Sequence, residues 1–132
     1  MNLLLIDTSA FIEFARGHSI LLDKLRLADR ILLSPIVMGE LLYGLARSPS
    51  TSQKKALEEF VSSSRVDQIV IDEETPTYYA IIRSHLTLSG FSIGQNDLWI
   101  AASTMQHGAK LLTTDSDFLR VPQILVDCLD PA

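Results

Sequence analysis

Four acids fall where a chain of 132 residues could bring them to one place: Asp7, Glu40, Asp97 and Asp115. Asp7 closes the apolar run Leu3-Leu4-Leu5-Ile6, and Asp115 follows Leu111-Leu112-Thr113-Thr114. Glu40 lies within Ile36-Val37-Met38-Gly39-Glu40-Leu41-Leu42, where a lone carboxylate is costly unless paired or bound to a cation. Singly, the aspartates have plain structural readings: Asp7 as a helix N-cap, Asp97 and Asp115 as first-turn acids favoured by the helix dipole. Gathered together, the four would repel one another, and some would take up protons unless a cation held them. An all-oxygen acidic set suits a hard ion, Mg²⁺ or Mn²⁺. One or two such ions can activate a water and stabilise the leaving oxygen in a phosphodiester displacement, which needs no nucleophilic side chain. The neighbouring hydroxyls of Thr8, Ser9, Thr113 and Thr114 are then expected to orient carboxylates or waters, roles that compete with capping and turn formation. Asp117 is a fifth acid beside Asp115 and can share its role.

Other chemistries find less support. His18, His85 and His107 are far apart and lack the spacing of a zinc site, so they read as surface or helix-end residues. No glycine-rich phosphate loop is present, which leaves an ATPase unsupported. Cys128 is the only cysteine; it cannot form an intrachain disulfide and reads as a small buried filler. The net charge of −5 taken alone opposes a polyanionic ligand, but two bound divalent ions would bring the chain close to neutrality. No apolar run approaches the ~18 residues of a spanning helix. The first apolar run is too short for a signal-peptide core and lacks a basic leader, so the expected location is the cytoplasm.

The elements that must position the acids can be read from short apolar runs and helix punctuation. Strands are expected at Leu3–Ile6, Arg30–Leu33, 68–71, 109–113 and 123–126. Helices are expected at 10–15, 20–28, Pro35–Arg47, 53–64, 76–89 and Gln95–His107. Ser34-Pro35 and Thr75-Pro76 look like a cap followed by proline at the first helical position, and Gly17, Gly90 and Gly108 sit at C-cap positions. Strands alternating with helices predict an α/β domain on a parallel sheet. Ligands in such sheets bind outside the carboxyl ends of the strands. Asp7 and Asp115 end strands, while Glu40 and Asp97 lie early in helices, so all four are predicted on that edge.

Four segments in this order resemble the PIN-domain ribonucleases, and among them the VapC toxins of type II toxin–antitoxin systems. They are Leu5-Ile6-Asp7-Thr8-Ser9, the stretch from Ser34 to Gly44, Ile93-Gly94-Gln95-Asn96-Asp97-Leu98-Trp99-Ile100-Ala101-Ala102, and the stretch from Leu111 to Phe118. The resemblance covers almost the whole chain and implies one PIN-like domain over residues 1–132. It implies a three-layer α/β/α sandwich with a central parallel sheet of about five short strands. It also implies an Mg²⁺- or Mn²⁺-dependent endoribonuclease with Asp7, Glu40, Asp97 and Asp115 as its acidic quartet. The implied partners are RNA, a VapB-like antitoxin whose tail enters the active-site groove, and a second copy of the chain, in a heterotetramer or larger assembly with antitoxin. Arg16, Arg47 and Arg83 are candidate phosphate or antitoxin contacts, although the reading each favours on its own is an ordinary solvated arginine.

Two other classes stand beside this reading. A receiver-like signalling domain, or an aspartyl phosphatase, would also hold Mg²⁺ among acids. The first wants an acidic pair at strand one and a lysine after a late strand; here Asp7 has no acidic neighbour and Lys110 precedes its apolar run. The second wants an aspartate where Ser9 stands. A catalytically silent binding module is the third class, and the presence of all four acids argues against it.

Overall fold

In the computed structural model, which describes residues 1–131, each short apolar run near the middle of the molecule becomes a strand. Strand β1 spans Leu3–Ile6, β2 Arg30–Leu33, β3 Val66–Gln68, β4 Lys110–Thr113 and β5 Leu125–Cys128. They form one parallel sheet in the order β3-β2-β1-β4-β5. Leu5, Ile6, Leu111 and Leu112 are fully buried, as expected of central strands covered on both faces. The chain builds outward from β1 through β2 to β3, then crosses back to β4. The switch in strand order therefore falls between β1 and β4, where open sheets of this kind receive their ligands.

Six α-helices flank the sheet: α1 Thr8–Ala15, α2 Ser19–Leu27, α3 Pro35–Arg47, α4 Thr51–Ser62, α5 Thr75–Leu88 and α6 Gln95–His107. Helix α1 packs against α2, α3 and α4, while α6 packs against α5, α3 and β4. Phe11 and Phe14 of α1 meet Phe60 of α4, with ring centroids 5.5 and 5.4 Å away, so aromatic burial fixes α1 on that side. The bounds of α3 follow from Ser34, whose hydroxyl accepts from the Ile36 amide at 3.1 Å, and from Pro35 at the first helical position. Helix α6 ends at Gly108, whose φ of 60° is the left-handed cap that glycine tolerates.

Several expectations shift. Strand β3 lies at 66–68 rather than 68–71, because its pairing with β2 runs from Ile31↔Val66 to Leu33↔Gln68. Of the apolar run that suggested a strand, Val70 is exposed. Strand β5 is displaced from 123–126 to 125–128 for the same reason, its register to β4 running from Lys110↔Leu125 to Thr113↔Cys128. Cys128 is consequently half-buried at the sheet edge rather than a core filler. Thr75 is the first residue of α5 and not its cap: the preceding Glu74 makes no side-chain cap, and Asp72 accepts from the Glu74 and Thr75 amides instead. Between β4 and β5, Ser116–Arg120 forms a 3₁₀ segment that the sequence pattern did not announce.

Candidate functional site

Asp7 occupies two roles at once. As N-cap of α1 its Oδ1 accepts from the Ala10 amide at 2.9 Å, and the same carboxylate is almost completely buried at the end of β1. The Thr113 hydroxyl donates to its Oδ2 at 2.6 Å, and the Ser9 hydroxyl lies 2.8 and 2.9 Å from its two oxygens. Ser9 Oγ accepts from the Thr114 amide at 3.0 Å, and Thr113 Oγ1 from the Asp115 amide at 2.9 Å. Ser9 and Thr113 therefore lock the carboxyl ends of β1 and β4 together around Asp7. Burial pushes the Asp7 carboxyl above the ordinary carboxylate value, against the pull of its hydrogen bonds, and the charge of Asp115 adds to the rise.

Glu40 is half-buried on the second turn of α3. Its Oε1 accepts from the Thr8 hydroxyl at 2.7 Å, which ties α3 to the start of α1. Its Oε2 lies 3.5 Å from the Asn96 amide nitrogen, a long contact that reaches α6. Asp97 stands in the first turn of α6, with Gly94 at the helix N-cap. Asp115 caps the 3₁₀ segment, accepting from the Asp117 amide at 2.9 Å. The Asp117 side chain turns aside, 4.0 Å from Arg120.

The electrostatics show the convergence that the spacing predicts. The Asp97 carboxyl is pushed up to about 6, first by burial and then by the charges of Asp115, Glu40, Asp7 and Asp117. The other three acids singled out from the sequence are thus each within electrostatic range of Asp97, and Asp117 acts on it most weakly. None of the ion pairs among the described residues involves Asp7, Glu40, Asp97 or Asp115. The negative charge is uncompensated by protein cations.

Such a donor set fits a hard divalent cation: all oxygen, mutually repelling, and, at Asp7, Glu40 and Asp115, oriented by hydroxyls and amides. Among the described residues no three His, Cys, Asp or Glu side chains are drawn tightly enough to enclose an ion. That openness suits Mg²⁺-type binding, in which one or two carboxylates act directly and waters fill the remaining positions. The sequence reading missed Asn96, the neighbour of Asp97 whose side-chain amide reaches Glu40. Adjacency within Gly94-Gln95-Asn96-Asp97 was the available signal. The histidines lie elsewhere. His18 is buried as the N-cap of α2, with Nε2 2.8 Å from the Asp130 carbonyl oxygen, and His107 Nδ1 lies 2.9 Å from the Ser103 carbonyl oxygen on its own helix.

Comparison with known proteins agrees with this geometry. A match to the PIN domain family covers residues 4–124. Ribonuclease VapC5 of Mycobacterium tuberculosis is 30% identical over 114 residues, covering 86% of this chain and 83% of that protein. Ribonuclease VapC2 of Rickettsia felis is 32% identical over 111 residues, 83% of this chain and 81% of the relative. The crystal structure of VapBC2 from Rickettsia felis, bound to a DNA fragment from their promoter, contains a similar fold. That chain superposes with a TM-score of 0.85 at 28% identity, over 97% of this chain and 99% of its own length.

Proposed function

Since the chain belongs to the PIN-domain family, on its VapC-like branch of toxin ribonucleases, we propose that Asp7, Glu40, Asp97 and Asp115 are the active site with which it cuts RNA. The chain is a nuclease toxin that hydrolyses RNA phosphodiester bonds and is restrained by a VapB-like antitoxin. Divalent-metal dependence is general among PIN-domain ribonucleases, and Mg²⁺ or Mn²⁺ held among these carboxylates would supply an activated water and charge neutralisation at the scissile phosphate. The single observation that carries the assignment is the placing of the acids at one sheet edge, where Thr113 bonds both the Asp7 carboxylate and the Asp115 amide and where Asp97, raised first by burial, also feels the charges of Asp115, Glu40 and Asp7.

The chain's own residues supply orientation. Ser9 and Thr113 hold the Asp7 carboxylate by its two oxygens, so its rotamer is set before any ligand arrives. Thr8 and Asn96 do the same for Glu40 from two different helices. Asp115 is fixed through its own amide by Thr113 and through Oδ1 by the Asp117 amide. Asp117 serves the site through its backbone, its side chain being shared with Arg120.

The 132 residues act in this reading as one domain, in the cytoplasm, as a homodimer that joins antitoxin in a heterotetramer or larger complex. No helix among the described residues is long and apolar enough to cross a membrane. The decisive variant is Asp7→Asn. It is isosteric and is expected to lower RNA cleavage by more than about 100-fold while circular dichroism and thermal melting report an intact fold. Full cleavage by that variant would overturn the mechanism.

A further inference from the structure

The seven arginines of the chain have sharply different surroundings. Four spend their charge on carboxylates: Arg16 on Glu13, Arg26 on Asp23, Arg30 on Asp67 and Arg120 on Asp117. Arg65 is consumed by backbone carbonyls at the end of α2. Among the described residues only Arg47 and Arg83 meet neither fate, and both are held in the same way. Arg47 lies over the ring of Tyr43, 5.9 Å from its centroid, and donates to the Tyr43 hydroxyl at 3.1 Å. Arg83 lies over the ring of Tyr79 at 5.8 Å and donates to the Tyr79 hydroxyl at 2.8 Å. Each is a tyrosine followed four residues later by an arginine, on one helical face, with the guanidinium exposed.

Their placement relative to the acids is what gives them meaning. On α3, Glu40, Tyr43 and Arg47 are spaced three and four apart and share one face, so Arg47 stands about 10 Å along the helix from Glu40. On α5, the Arg83–Tyr79 pair continues into α6: the Tyr79 hydroxyl donates to Gln95 Oε1 at 2.6 Å, two residues before Asp97. Trp99, two residues after Asp97, stacks on Tyr79 with centroids 4.3 Å apart. Helices α3 and α5 both pack against α6, the helix that delivers Asp97. The two arginines therefore stand on the two helices that bracket it.

A tyrosine holds a guanidinium without neutralising it. The ring face and hydroxyl fix its direction and reduce the rotamer freedom lost on binding, and the full positive charge and most of its N–H donors stay available. An acidic chain that must accept RNA needs this kind of cation close to its carboxylates, placed where it does not pair with them. We propose that Arg47 and Arg83 are the two grips for RNA phosphates on either side of the scissile bond, with Tyr43 and Tyr79 as the residues that position them. This rests on the ribonuclease reading above and specifies where its single-stranded substrate runs: across α6, from the α3 face to the α5 face.

The test uses the full chain carrying Asp7→Asn, which is expected to bind RNA without cutting it, and a labelled single-stranded oligoribonucleotide of mixed sequence. Arg47→Gln and Arg83→Gln are each expected to weaken binding about 3- to 10-fold, and the pair together more than either. The slope of log affinity against log salt should become shallower by about 0.7 for each arginine removed. Arg26→Gln, whose native charge is paired with Asp23, should leave both quantities unchanged. With Asp7 intact, Arg47→Gln and Arg83→Gln should raise KM with little change in kcat. Tyr79→Phe keeps the ring and should give a smaller loss than Arg83→Gln. An unchanged salt slope in the double variant overturns the proposal, and so does a loss confined to dimer formation or antitoxin capture. Failure of the chain with native Asp7 to cut RNA under any divalent ion would instead overturn the ribonuclease reading.

Discussion

The two edges of the sheet are built on opposite electrostatic plans. At the amino ends of β1, β2 and β3 the charges of Arg30, Arg65 and Asp29 are each met by a polar partner. Arg30 pairs with Asp67 through two nitrogens and holds the Asp67 carboxyl below its ordinary value. The Arg65 guanidinium donates to the Leu25 and Ala28 carbonyls at 3.0 and 2.6 Å, and Asn2 binds Asp29 and the Leu27 carbonyl. At the carboxyl ends of β1 and β4, carboxylates face one another without a cation, and both Asp7 and Asp97 are pushed upward. Compensation of the first kind stabilises a fold. Concentrated like charge of the second kind costs stability and is retained where a ligand of opposite sign is to be held.

This contrast can be broken at either edge. Arg65→Ala removes strong charge-assisted hydrogen bonds from a half-buried position and is expected to cost about 2–3 kcal/mol by denaturant unfolding. The folded fraction should cleave RNA at the native rate. A loss of activity without loss of stability would mean that the amino edge is no mere structural support. Thr113→Val is closer to the border between the two plans. It keeps the shape of a fully buried residue but strips a donor from Asp7 and an acceptor from the Asp115 amide. The expected cost is about 1–2 kcal/mol of stability, together with a fall in cleavage of about 10-fold as the acids lose their orientation.

The smallest effect is a pH dependence, and its sign separates the two edges most cleanly. In metal-free protein, Asp97 titrates near 6 when folded, against an ordinary 3.8. Below 3.8 both folded and unfolded chains hold this proton. Between there and about 6 the unfolded chain has released it while the folded chain retains it. Relative stability is therefore highest at low pH and is lost as pH rises through about 6. Screening at this half-exposed group keeps the change to about 1 kcal/mol. Asp7 contributes in the same direction. Asp97→Asn should abolish most of the slope in melting temperature measured in EDTA between pH 4.5 and 7; an unchanged slope would mean that the acids are not coupled.

Much of this was legible in the residues, for reasons that differ by element. Helices α3 and α6 could be read to their ends because Ser34-Pro35 and Gly94 with Gly108 punctuate them chemically. Strands β3 and β5 could not, because edge strands are placed by register to a neighbour. An apolar run such as Ile69-Val70-Ile71 imitates a strand while Val70 faces solvent. Asp7 caps α1 as its plain structural reading expects, whereas Asp115, read as a first-turn acid, is instead the N-cap of the 3₁₀ segment; in both, a carboxylate that accepts a backbone amide is fixed in direction. Asn96 and the role of Tyr43 and Tyr79 were invisible because their significance lies in contacts between helices, or between a ring and a guanidinium, which no spacing rule encodes.

The central claim is that these carboxylates form one divalent-cation site at the carboxyl edge. It is tested most directly by titrating Mn²⁺ into EDTA-stripped protein at neutral pH and reading free Mn²⁺ by electron paramagnetic resonance. The native chain is expected to sequester Mn²⁺ saturably and to gain melting temperature as it does so. The Asp7→Asn/Asp97→Asn double variant is expected to lose both effects while remaining folded. Equal sequestration by the native chain and the double variant would contradict the account.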